Sequence, residues 1–142
     1  MNAAACQTVE MPRDDEFVFA NCVWLGNRFV AYRVVGGRVV LDDHVVVDVD
    51  DRADACTLFV DEVDGVTYGG GESTAHGSCG FFFKKTGHRL DWALFSLESD
   101  PFVGVEIAPG QVRFISQSRD AWVVEQDAVE CARIVRPLNA DR

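Results

Sequence analysis

Three groups of side chains in this sequence have the types and spacing to invite a chemical reading. The first is the stretch from Asp42 to Asp64. Nine acids there (Asp42, Asp43, Asp48, Asp50, Asp51, Asp54, Asp61, Glu62 and Asp64) face one base, Arg52, a balance of −8. Carboxylates at that density suit a cation or a basic protein surface, and the plain alternative is a solvated acidic face. Within the stretch, Asp48, Asp50, Asp51 and Asp54 imitate the start of a calcium loop. Such a loop also needs a glycine at its sixth position and a glutamate at its twelfth. Ala53 and Phe59 stand there instead, so no metal is expected.

The second group is Gly69–Gly80, with five glycines in twelve residues together with His76, Ser78 and Cys79. Glycines let backbone N–H groups close around an anion, but the stretch has no Gly-Lys-Ser/Thr ending and no helical pattern after it. The expectation is a mobile loop. A Cys–His pair is a possible nucleophile and base, yet His76 and Cys79 are neighbours in sequence only. His44, His76, His88 and the cysteines do not take the paired spacing of zinc sites. No catalytic constellation emerges, and a non-enzyme without cofactor is expected. The third group is the tryptophans. Trp92 falls in an alternating apolar segment and is expected in the core. Trp24 and Trp122 lie nearer segment ends, where an indole either packs inward or anchors a partner.

These side chains need a scaffold, and the composition describes one. The chain has 142 residues, 48% hydrophobic and 11% aromatic, which suits a single β-rich domain over 1–142, with 1–15 expected to be a poorly ordered N-terminal segment. Its formal charge of −10 has the wrong sign for nucleic acid, whose binders cluster Lys and Arg. The start of the chain carries no basic and apolar export signal, and no apolar run approaches the ~20 residues of a membrane span. Five scattered cysteines, Cys6, Cys22, Cys56, Cys79 and Cys131, form no framework and read as reduced thiols. Together these features predict a cytoplasmic protein with neither nucleic-acid nor membrane partner, and they leave its oligomeric state open.

Turn residues punctuate the chain. Gly26-Asn27, Gly36-Gly37, Asp42-Asp43, Asp64-Gly65, Thr86-Gly87, Asp100-Pro101 and Pro109-Gly110 separate short apolar runs. About ten short strands in an antiparallel meander, sandwich or barrel-like, follow from that spacing. His44–Val49 alternates as a strand with one acidic wet face, and Arg89–Leu97 places Leu90, Trp92 and Leu94 on one face. One short C-terminal helix is expected from Ala128, Cys131, Ala132 and Val135, with Asp127 as cap, Glu130 completing a capping box and Pro137 as stop. The β-branched Val129, Ile134 and Val135 make a short strand the alternative there.

The segment Gly80–Val105 carries the pattern F-F-F-x-x-x-G…R-L-D-W…S-D-P-F-V over 26 of 142 residues. It resembles small bacterial immunity proteins, which neutralise polymorphic toxins of the Rhs and type VI secretion kind. The resemblance implies a cytoplasmic protein that binds one toxin domain tightly and occludes its active site. A toxin acting on nucleic acid or nucleotides has a basic cleft, for which an acidic surface competes. The pattern is one of strands and turns, so it assigns no contact residue. From another class, a β-barrel or sandwich with an aromatic-lined ligand pocket fits the same composition.

Overall fold

Tight turns between apolar runs fold most of the chain into hairpins. The computed structural model describes residues 16–74 and 79–137. Its strands are β1 (Glu16–Val18), β2 (Cys22–Trp24), β3 (Phe29–Val35), β4 (Arg38–Leu41), β5 (Arg52–Val63) and β6 (Val66–Ser73). They continue with β7 (Gly80–Thr86), β8 (Arg89–Ser96), β9 (Phe102–Ala108), β10 (Gln111–Ser116), β11 (Ala121–Glu125) and β12 (Arg133–Val135). Five turns join sequence neighbours as expected: β2 to β3, β3 to β4, β5 to β6, β7 to β8 and β9 to β10. Every ladder is antiparallel, and the twelve strands form one curled sheet in the order β1-β5-β6-β7-β8-β2-β3-β4-β12-β11-β10-β9.

Twelve strands replace the expected ten partly because the run Phe17–Leu25 breaks at Phe19–Asn21. β1 then pairs with β5 while β2 pairs with β8 and β3. A three-residue link between strands that flank β5-β6-β7-β8 on opposite sides requires those four to curl until their flanks meet.

Curling buries both faces of the middle strands, which is why β7 reads Phe81-Phe82-Phe83 rather than alternating. Phe82 enters one cluster with Tyr68, Trp92, Phe102, Phe114 and Trp122. Its ring stacks on Phe114 with centroids 4.0 Å apart and meets Phe102 edge-on at 4.9 Å. Phe81 and Phe83 enter a second cluster with Phe17, Trp24, Leu90 and Phe95. Leu90 therefore parts from Trp92 and Leu94, contrary to simple alternation. A register irregularity opposite Lys84 and Lys85 inserts Asp91 and changes the parity of the strand.

Three other expectations are corrected. Gly69-Gly70-Gly71 is no mobile loop: it lies buried in β6, hydrogen-bonded to β5 and β7. A Cβ on Gly69 would lie 2.6 Å from Cζ of Phe83, one on Gly70 2.9 Å from the Phe59 ring, and one on Gly71 would collide with the Cys56 carbonyl. The glycines are there for close approach. His44–Val49 forms no strand but a turn and extended loop, from which Val47 packs on the second cluster. The C-terminal helix shrinks to one 3-10 turn, Val129–Cys131, followed by β12. Gln126 and Asp127 take positive φ angles of 50° and 63°, so Asp127 turns the chain instead of capping it. Ala132 at ψ 144° ends the turn at once. The expectations for residues 1–15, Cys6, His76 and Ser78 lie outside the described residues.

Candidate functional site

The acidic stretch folds into two parts. Asp42, Asp43, Asp48, Asp50 and Asp51 occupy the connection from β4 to β5, whereas Asp54, Asp61 and Glu62 lie on β5 and Asp64 turns the chain into β6. All are exposed except Asp42, which is half-buried. Local bonds shape the connection: the Asp42 carboxylate accepts from the His44 amide at 3.2 Å, and the Asp48 carboxylate from the Asp50 amide at 3.1 Å. Arg52 closes it by donating from Nε to the Val49 carbonyl and pairing with Glu16 at 3.1 Å, with its guanidinium 5.7 Å above the Phe29 ring. Among the described residues, no ion pair engages any of the nine acids. Their field is thus turned outward.

β5 has a second property that the sequence did not announce. Among the described residues, β1 pairs with Arg52–Asp54 and the rest of β5 is laddered to β6. β9 ends the sheet at its other limit, and its Cα atoms come within 8 Å of β5 and β6 without forming a ladder. Leu58, Val60 and Val63 on β5 and Val103 and Ile107 on β9 are exposed.

The two tryptophans go elsewhere. Trp24 is 2% exposed in the second cluster, with its ring 4.9 Å from Phe29 and its indole N–H without an acceptor. Trp122 is 5% exposed and meets Phe102 edge-on at 5.7 Å. Neither presents a free face to a partner.

Trp122 also lines a cleft of about 230 Å³ of mixed character, beside Tyr32, Ser96, Ser116, Asp120 and Arg136. Three of its hydroxyls are committed to local structure, while, among the described residues, the buried Ser99 Oγ has no hydrogen-bond partner. Ser96 Oγ accepts from the amides of Glu98 and Ser99, Ser116 Oγ from that of Asp120, and the Tyr32 hydroxyl donates to the Phe95 carbonyl at 2.9 Å. Burial pushes the Tyr32 phenol well above its ordinary range. The interior between the sheet faces is filled by packed rings, and the cleft outside it is lined by serines and charged groups together with Tyr32, Trp122, Val34 and Ile134.

Cys79 is buried in the second cluster, its thiol 3.8 Å from the Leu97 carbonyl. Among the described residues, no cluster of His, Cys, Asp and Glu is placed to hold a metal ion, and no helix is long and apolar enough to cross a membrane. Comparison of the chain with family models, with curated proteins and with solved structures finds no match.

Proposed function

We propose that this chain is a binding protein for a basic protein partner, and that the partner is a secreted bacterial toxin domain that it neutralises as an immunity protein by covering a basic active-site cleft. The observation that carries the reading is the run of exposed, unpaired carboxylates along the β4–β5 connection and β5. Complementary potential of this kind accelerates encounter and rejects acidic competitors. The toxin in particular rests on the resemblance of Gly80–Val105, whose residues fold into β7, β8 and the start of β9. Trp24 and Trp122, considered as anchors from sequence, have no place in this interface because both are core residues.

The test is inspection of the genes beside this chain's own for a toxin domain, followed by co-expression with it; a neighbourhood without one counts against the reading. Restored growth together with a purifiable one-to-one complex supports the reading, and unrestored growth with soluble, folded protein present overturns it. A second reading, capture of a small polar ligand, is favoured by the cleft beside Trp122. Its mark would be a metabolite co-purifying with the chain and lost on Asp120→Ala.

A further inference from the structure

We propose that the outer face of β3, β4, β12, β11, β10 and β9 docks a carboxylate-rich segment of a second protein. This inference goes beyond the basic-partner reading and does not rest on it. Residues opposite one another across a ladder point to the same side of a sheet. The registers therefore carry one row over six strands: Val35, Arg38, Arg133, Val123, Arg113 and Glu106. The sequence neighbours Val39, Ile134, Trp122, Phe114 and Val105 belong to the first core cluster, so the row faces away from it. At about 4.8 Å between strands the row is about 24 Å wide.

The charge of this face is opposite to that of the molecule. Arg33 stands beside the row on β3, and Arg119 and Arg136 rim a groove of about 390 Å³ over Ala121 and Ile115. With Arg38, Arg113 and Arg133 they make six arginines against Glu106 and Glu125, a balance of +4 in a chain of −10. Elsewhere the bases are engaged, Arg52 by Glu16, Lys84 by Asp127 and Arg89 by Asp91. Here, among the described residues, Arg33, Arg119 and Arg136 have no ion pair, and Arg113 and Arg133 reach Glu106 and Glu125 only at 3.6 and 3.5 Å. The buried Arg113 Nε donates to no acceptor among them. Between these two arginines Val123 is 2% exposed, so their stems shelter it and hold the guanidinium groups at the surface.

The face is open. A Cβ on Gly104, opposite Ile115, would meet nothing within 4 Å. β12 runs from Arg133 towards the β10–β11 turn, so Arg136 and Pro137 already lie past the Val135–Ala121 pair and beyond the row. The acidic stretch begins at Asp42, four residues past Arg38. At strand rise that is about 13 Å, longer than the Debye length of about 8 Å, so the two fields coexist.

Arginine forks match carboxylates and phosphates alike. Nucleic acid is nonetheless the poorer occupant: no Phe, Tyr or Trp stands among the outward residues to stack a base, and the whole chain repels a polyanion. The exposed Val35 and Val135 instead offer the apolar contact that a protein segment uses.

The experiment uses the isotope-labelled full chain and a decapeptide alternating Glu with Val and Ser. A version with Gln for Glu and a ten-residue thymidine oligonucleotide are the controls. Amide resonances of β10, β11 and β12 and the Nε–Hε signals of Arg113 and Arg133 should shift with the Glu peptide. Its affinity should fall about tenfold as the Debye length drops from about 10 Å at 0.1 M salt to about 3 Å at 1 M. Arg33→Gln, Arg119→Gln and Arg136→Gln, combined, should weaken it about tenfold and leave the melting temperature unchanged, since exposed charges add little to stability. Arg113→Lys with Arg133→Lys keeps the charge but removes the fork, and should weaken it severalfold. Phenylglyoxal, read by peptide mass, should modify Arg33, Arg119 and Arg136 in the free chain and do so more slowly with the Glu peptide present.

Equal binding of the Gln peptide, absence of shifts with the Glu peptide, or tighter binding of the oligonucleotide would overturn the assignment. So would arginines blocked to phenylglyoxal in the free chain, which would mean that the face is already covered. Salt-sensitive self-association lost in the triple variant would also overturn it, by making a second copy the occupant. None of these outcomes bears on growth restored in co-expression, so the basic-partner reading stands or falls separately.

Discussion

Gly71 and Gly104 are both strand glycines, yet their surroundings are opposite: a Cβ on Gly71 would strike the Cys56 carbonyl, and one on Gly104 would meet nothing within 4 Å. Gly71→Ala should therefore cost about 3 kcal/mol by forcing β5 and β6 apart. Gly104→Ala should be neutral or stabilising by up to about 1 kcal/mol, through the unfolded chain. Urea midpoints of the two variants test the contrast, and equal destabilisation would contradict the packing of β6. Sequence alone could not separate these glycines, because the neighbours that exclude a side chain come from other strands. The thiols divide in the same way. Burial pushes Cys22 up to about 12, and Cys79 is buried, while Cys56 and Cys131 are exposed. Native labelling with iodoacetamide, read by peptide mass, should modify Cys56 and Cys131 and spare Cys22 and Cys79. Lys84 gives a pH signature. Desolvation pulls its pKa down, but the hydrogen bond and charge of Asp127, 2.8 Å away, outweigh it and leave a net rise above 10.5. A raised folded-state value means the contribution is complete below the ordinary lysine range and fades as pH climbs through and beyond it. Asp127→Asn should flatten the alkaline fall in urea-measured stability relative to wild type.

At the scale of elements, hairpins were legible and their assembly was not. A turn such as Gly26-Asn27 acts on its immediate neighbours, and Trp24 duly faces Phe29 across it. The ladders β1–β5, β2–β8 and β4–β12 join segments far apart in sequence, and no local pattern encodes them. His44–Val49 alternates like a strand, but with Asp42 and Asp48 each folding the backbone back on itself, its valines find no ladder. Exposed Val46, at 91%, shows that alternation without a partner strand buries nothing. The C-terminal segment shows the converse. The i, i+3, i+4, i+7 pattern picked Ala128, Cys131, Ala132 and Val135; Ala132 is fully buried as expected, but Cys131 and Val135 are exposed, and Val129, off the pattern, is fully buried. Val129→Ala should cost about 2 kcal/mol, from two buried methyl groups and the space they leave. Val135→Ala, at a 37% exposed position, should cost about 0.5 kcal/mol or less. Comparable losses at both positions in chemical unfolding would show that the 3-10 turn is not docked.

Across the whole molecule, the acidic field has two centres, not one. β5 runs for 12 residues, which at about 3.3 Å per residue allows Asp51 and Asp64 to lie up to about 40 Å apart. The Debye length at physiological ionic strength is about 8 Å, so the loop acids and the hairpin acids act on a partner independently. The sequence showed the charge density of Asp42–Asp64 but not this division, since only the extended course of β5 pulls the two groups apart. Two triple variants separate their roles: Asp48→Asn, Asp50→Asn and Asp51→Asn in the loop, and Asp61→Asn, Glu62→Gln and Asp64→Asn at the hairpin. Asparagine keeps the acceptor that Asp48 offers the Asp50 amide, and exposed charges contribute little to stability, so the loop variant should keep its melting temperature. With the basic domain proposed as its partner, it should associate severalfold more slowly at low salt and dissociate at the wild-type rate, because distant charge steers encounter without touching the bound surface. The hairpin variant should also dissociate faster, since its acids stand beside the exposed Val60 and Val63, apolar surface that a bound partner would cover. Stopped-flow association across an ionic-strength series, paired with dissociation by competition, reads both quantities. If the logarithmic changes in association rate add when the two sets are combined, the centres are independent. Equal salt slopes for wild type and both variants would show that neither group faces the partner.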